Sequence, residues 1–331
     1  ESLARAAEKL GVLASLQTGN AELVQPADVP ESPSSPKPIR NGILGAIVGL
    51  ILGVGLAFLF ERLNRRLREP EEAREAFGLP VLGIIPESKT IALANEQGAL
   101  AVDLPFSEEE AFRTLRASLR YFNVDDDIHS LLVTSYVAGV GKTTVAWNLA
   151  RVAATTSKVI LVETDLRRPQ LSRRGGLKLT PGLAELLTHQ VQLEDVIQQG
   201  LADLEGNNGA SVGEHRLDVI VAGAIPPNPA ELIESQAMSD TLSRLAERYD
   251  LVIIDTPPTG AVSDAFPLLQ RADGIITVVR MGESTRESAE RLREQLSRLD
   301  ASVLGFVANG VKSGRRGKYG YGYEYYGPPS E

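Results

Sequence analysis

The stretch YVAGVGKTT, residues 136–144, contains the residue types of a phosphate-binding loop. Gly141, Lys142 and Thr143 fit the pattern G-x-x-x-x-G-K-[ST], whereas Tyr136 stands at the position of its first glycine. In such a loop, backbone N–H groups and a helix N-terminus surround a phosphate, the lysine reaches the outer phosphates and the hydroxyl ligates Mg²⁺. We therefore predict phosphate binding here; the alternative is a glycine-rich turn that merely opens a helix.

Carboxylates follow two further apolar segments. KVILVETDLRRP carries Glu163 and Asp165, and LVIIDTPP carries Asp255. Because ligands in open α/β sheets bind at the carboxyl ends of strands, we expect these acids to meet the loop in one crevice. Asp255 would hold Mg²⁺ directly or through water, and Asp165 would contribute to the same site. A carboxylate at a strand end can also serve as a helix cap or a salt-bridge partner.

Composition excludes several other chemistries. The chain has 331 residues, a net charge of -9, no Cys and three His. The acidic balance argues against nucleic acid as a partner, because no global basic field would hold it. The absence of Cys excludes disulfides and thiolate chemistry. His129, His189 and His215 lie too far apart in sequence to suggest a zinc site or a Ser/His/Asp triad.

From Glu108 onward, short β-branched apolar runs alternate with segments of helical period. This alternation predicts an α/β fold, a mostly parallel sheet with helices on both faces. Together with the phosphate-binding loop, it indicates the P-loop NTPase type. A further strand-like run, LPVLGIIP, lies upstream. The predicted strands are residues 130–135, 158–163, 217–222, 251–255, 274–279 and 303–308.

The uncharged run GILGAIVGLILGVGLAFLF, residues 42–60, predicts one transmembrane helix before this domain. A buried core helix is the alternative. Gly45, Gly49 and Gly53 recur at four-residue spacing, which would let two such helices approach closely. Arginines are denser after the run than before it, so the positive-inside rule predicts a cytoplasmic C-terminal part. The basic residues compared are Lys37 and Arg40 before the run, and Arg62, Arg65, Arg66 and Arg68 after it.

The predicted organisation has five parts. Residues 1–41 would be the end of an extracytoplasmic domain, with a helix over residues 2–18 and a Pro-rich connector over residues 26–38. Residues 42–60 would span the membrane and residues 61–107 would link it to a domain over residues 108–312. Within that domain, residues 200–215 read as a surface loop. The Gly-rich tail, residues 313–331, has no period and is predicted to be unfolded.

The region from Glu108 onward resembles the bacterial tyrosine kinases of the P-loop class, which act with polysaccharide co-polymerases in capsule and exopolysaccharide assembly. The resemblance rests on AGVGKTT, on a strand ending in Glu163, Asp165 and Arg167, on DTPP from Asp255, and on a tyrosine-rich end. The family pattern has Asp where Glu163 stands. The segment before the membrane run also resembles the end of a chain-length-determinant domain.

The resemblance implies a protein tyrosine kinase that uses ATP and Mg²⁺. Lys142, Glu163, Asp165 and Asp255 would be catalytic, and Thr143, Asp165 and Asp255 would hold the metal. The implied nucleotide contacts are Ala138, Gly139, Val140, Gly141, Lys142, Thr143, Thr144, Arg167 and Asn309. The implied phosphoacceptors are Tyr319, Tyr321, Tyr323, Tyr325 and Tyr326. Two roles stay open: Asn309 could instead form a turn, and Arg167 could instead anchor the following loop.

The element E-x-x-R-x-x-R, with Glu110, Arg113 and Arg116, matches a subunit contact of the family's ring. Without the family, it reads as a solvated charged helix face. The implied partners are neighbouring subunits and their tails, the polysaccharide polymerase and export machinery, a tyrosine phosphatase and the membrane. The implied location is the bacterial inner membrane, with the kinase domain cytoplasmic and residues 1–41 outside.

Two rival functions share these motifs. A membrane-tethered ATPase switch of the partitioning type would use the same fold, but those relatives carry a Lys five residues before the P-loop Lys, where this chain has Val137. A scaffold that binds nucleotide without transferring phosphate is the second rival. The tail itself could be a Gly/Tyr segment that contacts membrane or nucleic acid, since Arg315, Arg316 and Lys318 precede its tyrosines.

Overall fold

The computed structural model describes residues 2–16, 35–63, 65–101, 103–122, 128–200 and 217–312. By its internal contacts the chain divides into two compact units, Glu1–Leu63 and Asn64–Glu331. The predictions for most of the connector, for the loop beyond Gly200 and for the tail with its five tyrosines concern residues outside these ranges.

The described residues of the first unit form two helices, α1 (Ser2–Leu16) and α2 (Pro38–Leu63). Pro38 opens α2, where its fixed φ suits a first helical turn and its missing N–H costs nothing. Within α2, the 19-residue stretch Pro38–Leu56 has a mean hydropathy of 1.9, and none of it is buried. By length and composition this helix can cross a membrane, and it begins four residues earlier than the predicted segment.

The second unit is built on one eight-stranded sheet in the order β1-β8-β7-β2-β6-β3-β5-β4. Every pairing is parallel except that of β4 with β5. The prediction of a mostly parallel sheet is confirmed. The strands are β1 (Val81–Pro86), β2 (Ser130–Thr134), β3 (Val159–Glu163), β4 (Gln198–Gln199), β5 (Leu217–Ile220), β6 (Leu251–Asp255), β7 (Gly274–Arg280) and β8 (Val303–Val311).

Helices cover both faces of the sheet, which explains why its strands are apolar runs without alternation. In β3, Ile160 and Val162 pack into one buried cluster, and Val159 and Leu161 into the other. The helices are α3 (Pro70–Phe77), α4 (Lys89–Glu96), α5 (Phe106–Phe122), α6 (Lys142–Ala154), α7 (Leu171–Arg174), α8 (Leu183–Leu187), α9 (Leu193–Val196), α10 (Pro229–Glu234), α11 (Gln236–Ala246), α12 (Phe266–Leu269) and α13 (Arg286–Arg298).

The domain begins well before residue 108, the start predicted from sequence. Strand β1 pairs with β8, and its Leu82 and Ile85 are buried in the core. Helix α3 contributes Phe77, whose ring stacks on that of Phe306 at 5.6 Å. Of residues 61–107, predicted as a linker, those from Asn64 onward therefore belong to the same compact unit as the phosphate-binding loop, with β1 paired to β8.

The sheet register brings the predicted site residues to one edge. Val133 of β2 and Glu163 of β3 are both paired with Asp255 of β6, the strand between them. Parallel strands point their carboxyl ends the same way, so the loops after β2, β3 and β6 leave the sheet side by side. The fold thus places the glycine-rich loop next to both acidic segments.

Candidate active site

The phosphate-binding loop is shaped by two glycines in the left-handed region. Gly139 and Gly141 have φ of 80° and 96°, values that L side chains rarely adopt. Gly141 is the N-cap of α6, so Lys142 begins the helix. No described atom lies within 4 Å of the place that a Cβ on Gly139 would take. The loop therefore leaves open space beside its backbone, at a helix N-terminus suited to a phosphate.

Tyr136 packs against the segment that follows β6. Its carbonyl oxygen accepts a hydrogen bond from the Gly260 N–H at 3.0 Å, and a Cβ on Gly260 would approach this oxygen to 2.5 Å. Among the described residues other than glycine, only His189 and Asp300 have positive φ. Position 136 thus needs no glycine, and its carbonyl links the loop to the segment after β6.

Lys142 is a buried cation with two anions near it. Its residue is 8% exposed. Burial lowers the pKa of Lys142, and the negative charges of Asp255 and Asp165 oppose that shift. The three side chains predicted to converge are therefore electrostatic neighbours. An ammonium held this way can neutralise part of the charge on an incoming phosphate.

Asp255 is almost completely buried, at 1% exposure. Burial raises the pKa of Asp255 to about 7, while the Lys142 charge and a hydrogen bond from the Thr143 hydroxyl act to lower it. Its Oδ1 has no hydrogen-bond partner among the described residues. A buried carboxylate oxygen without a partner is unfavourable. This oxygen marks a place where a cation, or water bound to one, would be stabilised.

The oxygens around Asp255 fit a magnesium ion that arrives with a nucleotide. Thr143 and Asp255 supply adjacent oxygen donors, and Asp165 carries a third oxygen group close to the same lysine. No group of three or more His, Cys, Asp or Glu in the described ranges could hold a metal by itself. Magnesium usually takes one or two protein carboxylates and completes its shell with water and phosphate oxygens.

Asp165 is half-buried in the turn after β3. Its Oδ1 accepts the Arg168 backbone N–H at 3.0 Å. Burial raises the pKa of Asp165, and the Arg168 N–H and the Lys142 charge oppose the rise. The rise moves the pKa of this carboxylate towards neutral pH, and a general base works best when its pKa is close to the pH of the reaction.

Glu163, predicted to be catalytic, accepts hydrogen bonds from backbone N–H groups of its own domain. Its Oε1 accepts N–H groups from Gln170 at 2.5 Å and Leu171 at 2.8 Å, and its Oε2 accepts that of Ala222 at 3.0 Å. Burial raises the pKa of Glu163, and these three hydrogen bonds oppose the rise. The contacts give Glu163 a structural role, which differs from the predicted one: it ties the loop after β3 to the end of β5.

Arg167 forms a two-pronged ion pair with Asp264. The Arg167 Nε lies 2.6 Å from Asp264 Oδ2, and Nη2 lies 3.1 Å from Oδ1. The Asp264 side chain is 4% exposed. Of the two roles left open for Arg167, these contacts favour anchoring of the loop over contact with a phosphate.

The charged residues of the E-x-x-R-x-x-R element on α5 make two kinds of contact. Arg113 pairs with Glu109 at 2.7 Å and with Glu110 at 3.5 Å, and these groups stay at the surface. Arg116, predicted to lie at a subunit contact, caps the carboxyl end of α6 within its own chain, and burial lowers its pKa. Its Nη1 donates to Val152 O at 3.0 Å, Thr155 Oγ1 at 3.2 Å and Thr156 Oγ1 at 2.9 Å.

Sequence reasoning missed two charged residues beside the site. Asp264, the partner of Arg167, has no motif around it, so no local signal pointed to it. Arg174 donates to Asn95 Oδ1 and to Ala99 O, and the Asp255 charge acts on it. The only sequence signal for Arg174 was its place in an arginine-rich stretch.

Comparisons with known proteins agree with this geometry. A family model described as an AAA domain matches residues 131–304. The chain is 36% identical to the tyrosine-protein kinase YwqD of Bacillus subtilis over 228 residues, which cover 68% of this chain and 91% of YwqD. This chain belongs to the bacterial tyrosine-protein kinases. The predicted family and fold class are thereby confirmed.

Solved structures of two tyrosine kinase domains resemble this chain. That of Escherichia coli ETK gives a TM-score of 0.64 at 31% identity, covering 77% of this chain and 99% of the other. The BceF tyrosine kinase domain gives a TM-score of 0.63 at 30% identity, and the match covers 74% of this chain and 99% of that domain. The chain is also 33% identical over 98% of its length to EpsB of Ralstonia nicotianae, a tyrosine-protein kinase by name, but spans only 43% of EpsB.

We predict that replacing Asp255 by Asn stabilises the kinase when metal and nucleotide are absent. Folding raises the pKa of Asp255 from 3.8 to about 7. Between these values the folded state binds more protons than the unfolded state, so the free energy of unfolding falls as pH rises and levels off above about 7. The Asn variant has no carboxyl group to ionise and so does not lose stability in this way. Its free energy of unfolding should exceed that of the unchanged chain by the full amount at pH 8, and the difference should vanish near pH 4.

Urea unfolding in EDTA across that pH range measures the effect. Asp240→Asn, at an exposed position of α11, is the matched control. Equal stability of the Asp255→Asn variant and the unchanged chain at pH 8 would contradict the account.

We predict that Glu163→Gln destabilises the metal-free kinase by about 1–3 kcal/mol, the usual cost of leaving a buried hydrogen-bonding group unpaired. A glutamine replaces one acceptor oxygen with an amide donor, which would face either Ala222 N–H or the pair from Gln170 and Leu171. Glu287→Gln, whose side chain is 58% exposed, is the control. Unchanged unfolding of the Glu163→Gln variant would mean that its carboxylate does not organise the loop.

Proposed function

We propose that this chain transfers the γ-phosphoryl group of ATP to tyrosines in its C-terminal tail, in trans between subunits of a ring. The acceptors would be Tyr319, Tyr321, Tyr323, Tyr325 and Tyr326. The observation that carries the proposal is the unpartnered Oδ1 of buried Asp255, beside Lys142 and Thr143 at the start of α6. In a family of tyrosine kinases, this is where a triphosphate and its cation would be neutralised.

The residues of the site suit an in-line phosphoryl transfer. The tyrosine oxygen forms a bond to the γ-phosphorus, the bond from that phosphorus to the β–γ bridging oxygen breaks, and ADP leaves with the electron pair. The phenolic proton goes to the Asp165 carboxylate, whose pKa burial has raised. Lys142 would offset the charge that builds up on the phosphate oxygens.

Backbone groups would hold the nucleotide and oxygen donors would hold the metal. The loop from Ala138 to Thr144 offers N–H groups at the N-terminus of α6, suited to the α- and β-phosphates. Thr143 and Asp255 would bind Mg²⁺, with Asp165 near it, and the ion would supply positive charge to the phosphates. Glu163 stays outside this chemistry because its oxygens are taken by backbone N–H groups.

A tail acting between subunits is consistent with its length. Residues 313–331 number 19 and would span ~60 Å at ~3.3 Å per residue when extended, enough to reach a neighbouring site. Each added phosphate brings roughly -1.5 to -2 of charge, so a modified tail would repel its neighbours and loosen the ring. In such a ring, Glu110 and Arg113 remain available for contacts, whereas Arg116 is used within its own subunit.

The proposed setting is the bacterial inner membrane, with α2 as the anchor, the kinase domain in the cytoplasm and residues 1–41 outside. Support comes from the apolar stretch Pro38–Leu56 and from the arginines after it. The cycle of phosphorylation would regulate capsule or exopolysaccharide polymerisation and export, and a tyrosine phosphatase would reverse it. The resemblance to kinases of polysaccharide assembly supports this part of the proposal.

We predict that the full chain in detergent gains several phosphate groups on incubation with Mg-ATP, measured by intact mass. Lys142→Met should abolish the gain because the charge at the γ-phosphate is lost, and deletion of residues 313–331 should abolish it because the acceptors are gone. Lys178→Met, at an exposed lysine outside the site, is the matched control and should react normally.

Two results would contradict the kinase proposal. Hydrolysis of ATP without any mass gain would identify an ATPase switch, and nucleotide binding with neither hydrolysis nor mass gain would identify a scaffold. Mixing a tail-deleted chain with a Lys142→Met chain tests transfer in trans, since phosphate can then appear only on the inactive partner.

A further inference from the structure

The side chain of Asn309, near the end of β8, lies against the phosphate-binding loop. Its Nδ2 donates a hydrogen bond to the Val140 carbonyl oxygen at 2.8 Å. The same nitrogen occupies the space beside Gly141, where a Cβ would collide with it. Gly141 therefore has two reasons to be glycine: its φ of 96° and the close approach of Asn309.

Asn309 is held firmly enough to act as a support. Strand β8 lies between β1 and β7, and in these strands Asn309 is paired with Ile85 and Arg280. Its own carbonyl oxygen accepts the Met281 N–H at 2.9 Å. The hydrogen bond to Val140 thus joins the loop to the interior of the sheet.

The bond to Val140 has a consequence for the next N–H group. In a planar trans peptide, the carbonyl of one residue and the N–H of the next point in opposite directions. By holding the Val140 carbonyl, Asn309 directs the Gly141 N–H away from itself and into the loop. A carbonyl turned the other way would face a bound phosphate and repel it.

We infer that Asn309 is a positioning residue, which orients the Val140–Gly141 peptide so that its N–H can bind a nucleotide phosphate. The inference rests on the proposed nucleotide site but requires no tyrosine transfer. It differs from a contact between Asn309 and the nucleotide base, because it predicts weaker binding of any polyphosphate, with or without a base.

The test compares Mg-ADP with magnesium tripolyphosphate, which has no base, by calorimetry on the full chain in detergent. Asn309→Leu keeps the side-chain size but removes the donor. We expect both ligands to bind about fivefold to tenfold more weakly, the effect of one lost hydrogen bond. Asn228→Ala, at an exposed asparagine outside the site, is the matched control and should change neither affinity.

Each outcome decides the inference. Loss of ADP affinity with unchanged tripolyphosphate affinity would overturn it in favour of a base contact, and unchanged affinity for both would overturn it outright. Should Asn309→Leu lower the melting temperature of the nucleotide-free chain, Asn309→Ala, which relieves any crowding, carries the same comparison. Failure of the unchanged chain to bind either ligand would count against the proposed function itself.

Discussion

The candidate site depends on keeping opposite charges buried together at one edge of a parallel sheet. Lys142 and Asp255 are both removed from water, and each shifts the pKa of the other against the effect of burial. An unpaired buried charge is unfavourable, so each of the two charges offsets part of the cost of burying the other. The order β2-β6-β3 and its register make the pairing possible, since these strands end at the same level.

The remaining polar contacts keep the loops around these charges in place. Glu163 joins the loop after β3 to the end of β5, Arg167 joins that loop to Asp264, and Asn309 joins the phosphate-binding loop to β8. Each contact occupies a side chain that could otherwise have bound a ligand or taken part in the reaction. The site therefore relies on few reactive groups, Lys142 and Asp165 among them, in a frame organised before any ligand binds.

The sheet and the glycine-rich loop could be predicted from sequence because their signals are local. Apolar β-branched runs such as the one before Asp255, and glycines at fixed offsets from Lys142, carry the information within a few residues. The roles of Glu163 and Arg116 could not be predicted, because their partners are backbone and hydroxyl groups that only folding brings near. The early start of the domain was missed for a related reason: the strand-like run LPVLGIIP is visible in the sequence, but its pairing with β8 is not.

The most direct test of the shared site is the position of a bound ion. Crystals of the chain grown with Mn²⁺ and ADP would show the ion by its anomalous scattering. The account predicts an anomalous peak between the Thr143 hydroxyl and the Asp255 carboxylate, with the ADP β-phosphate on the loop before Lys142. A nucleotide bound on that loop with the ion absent, or bound away from both oxygens, would contradict it.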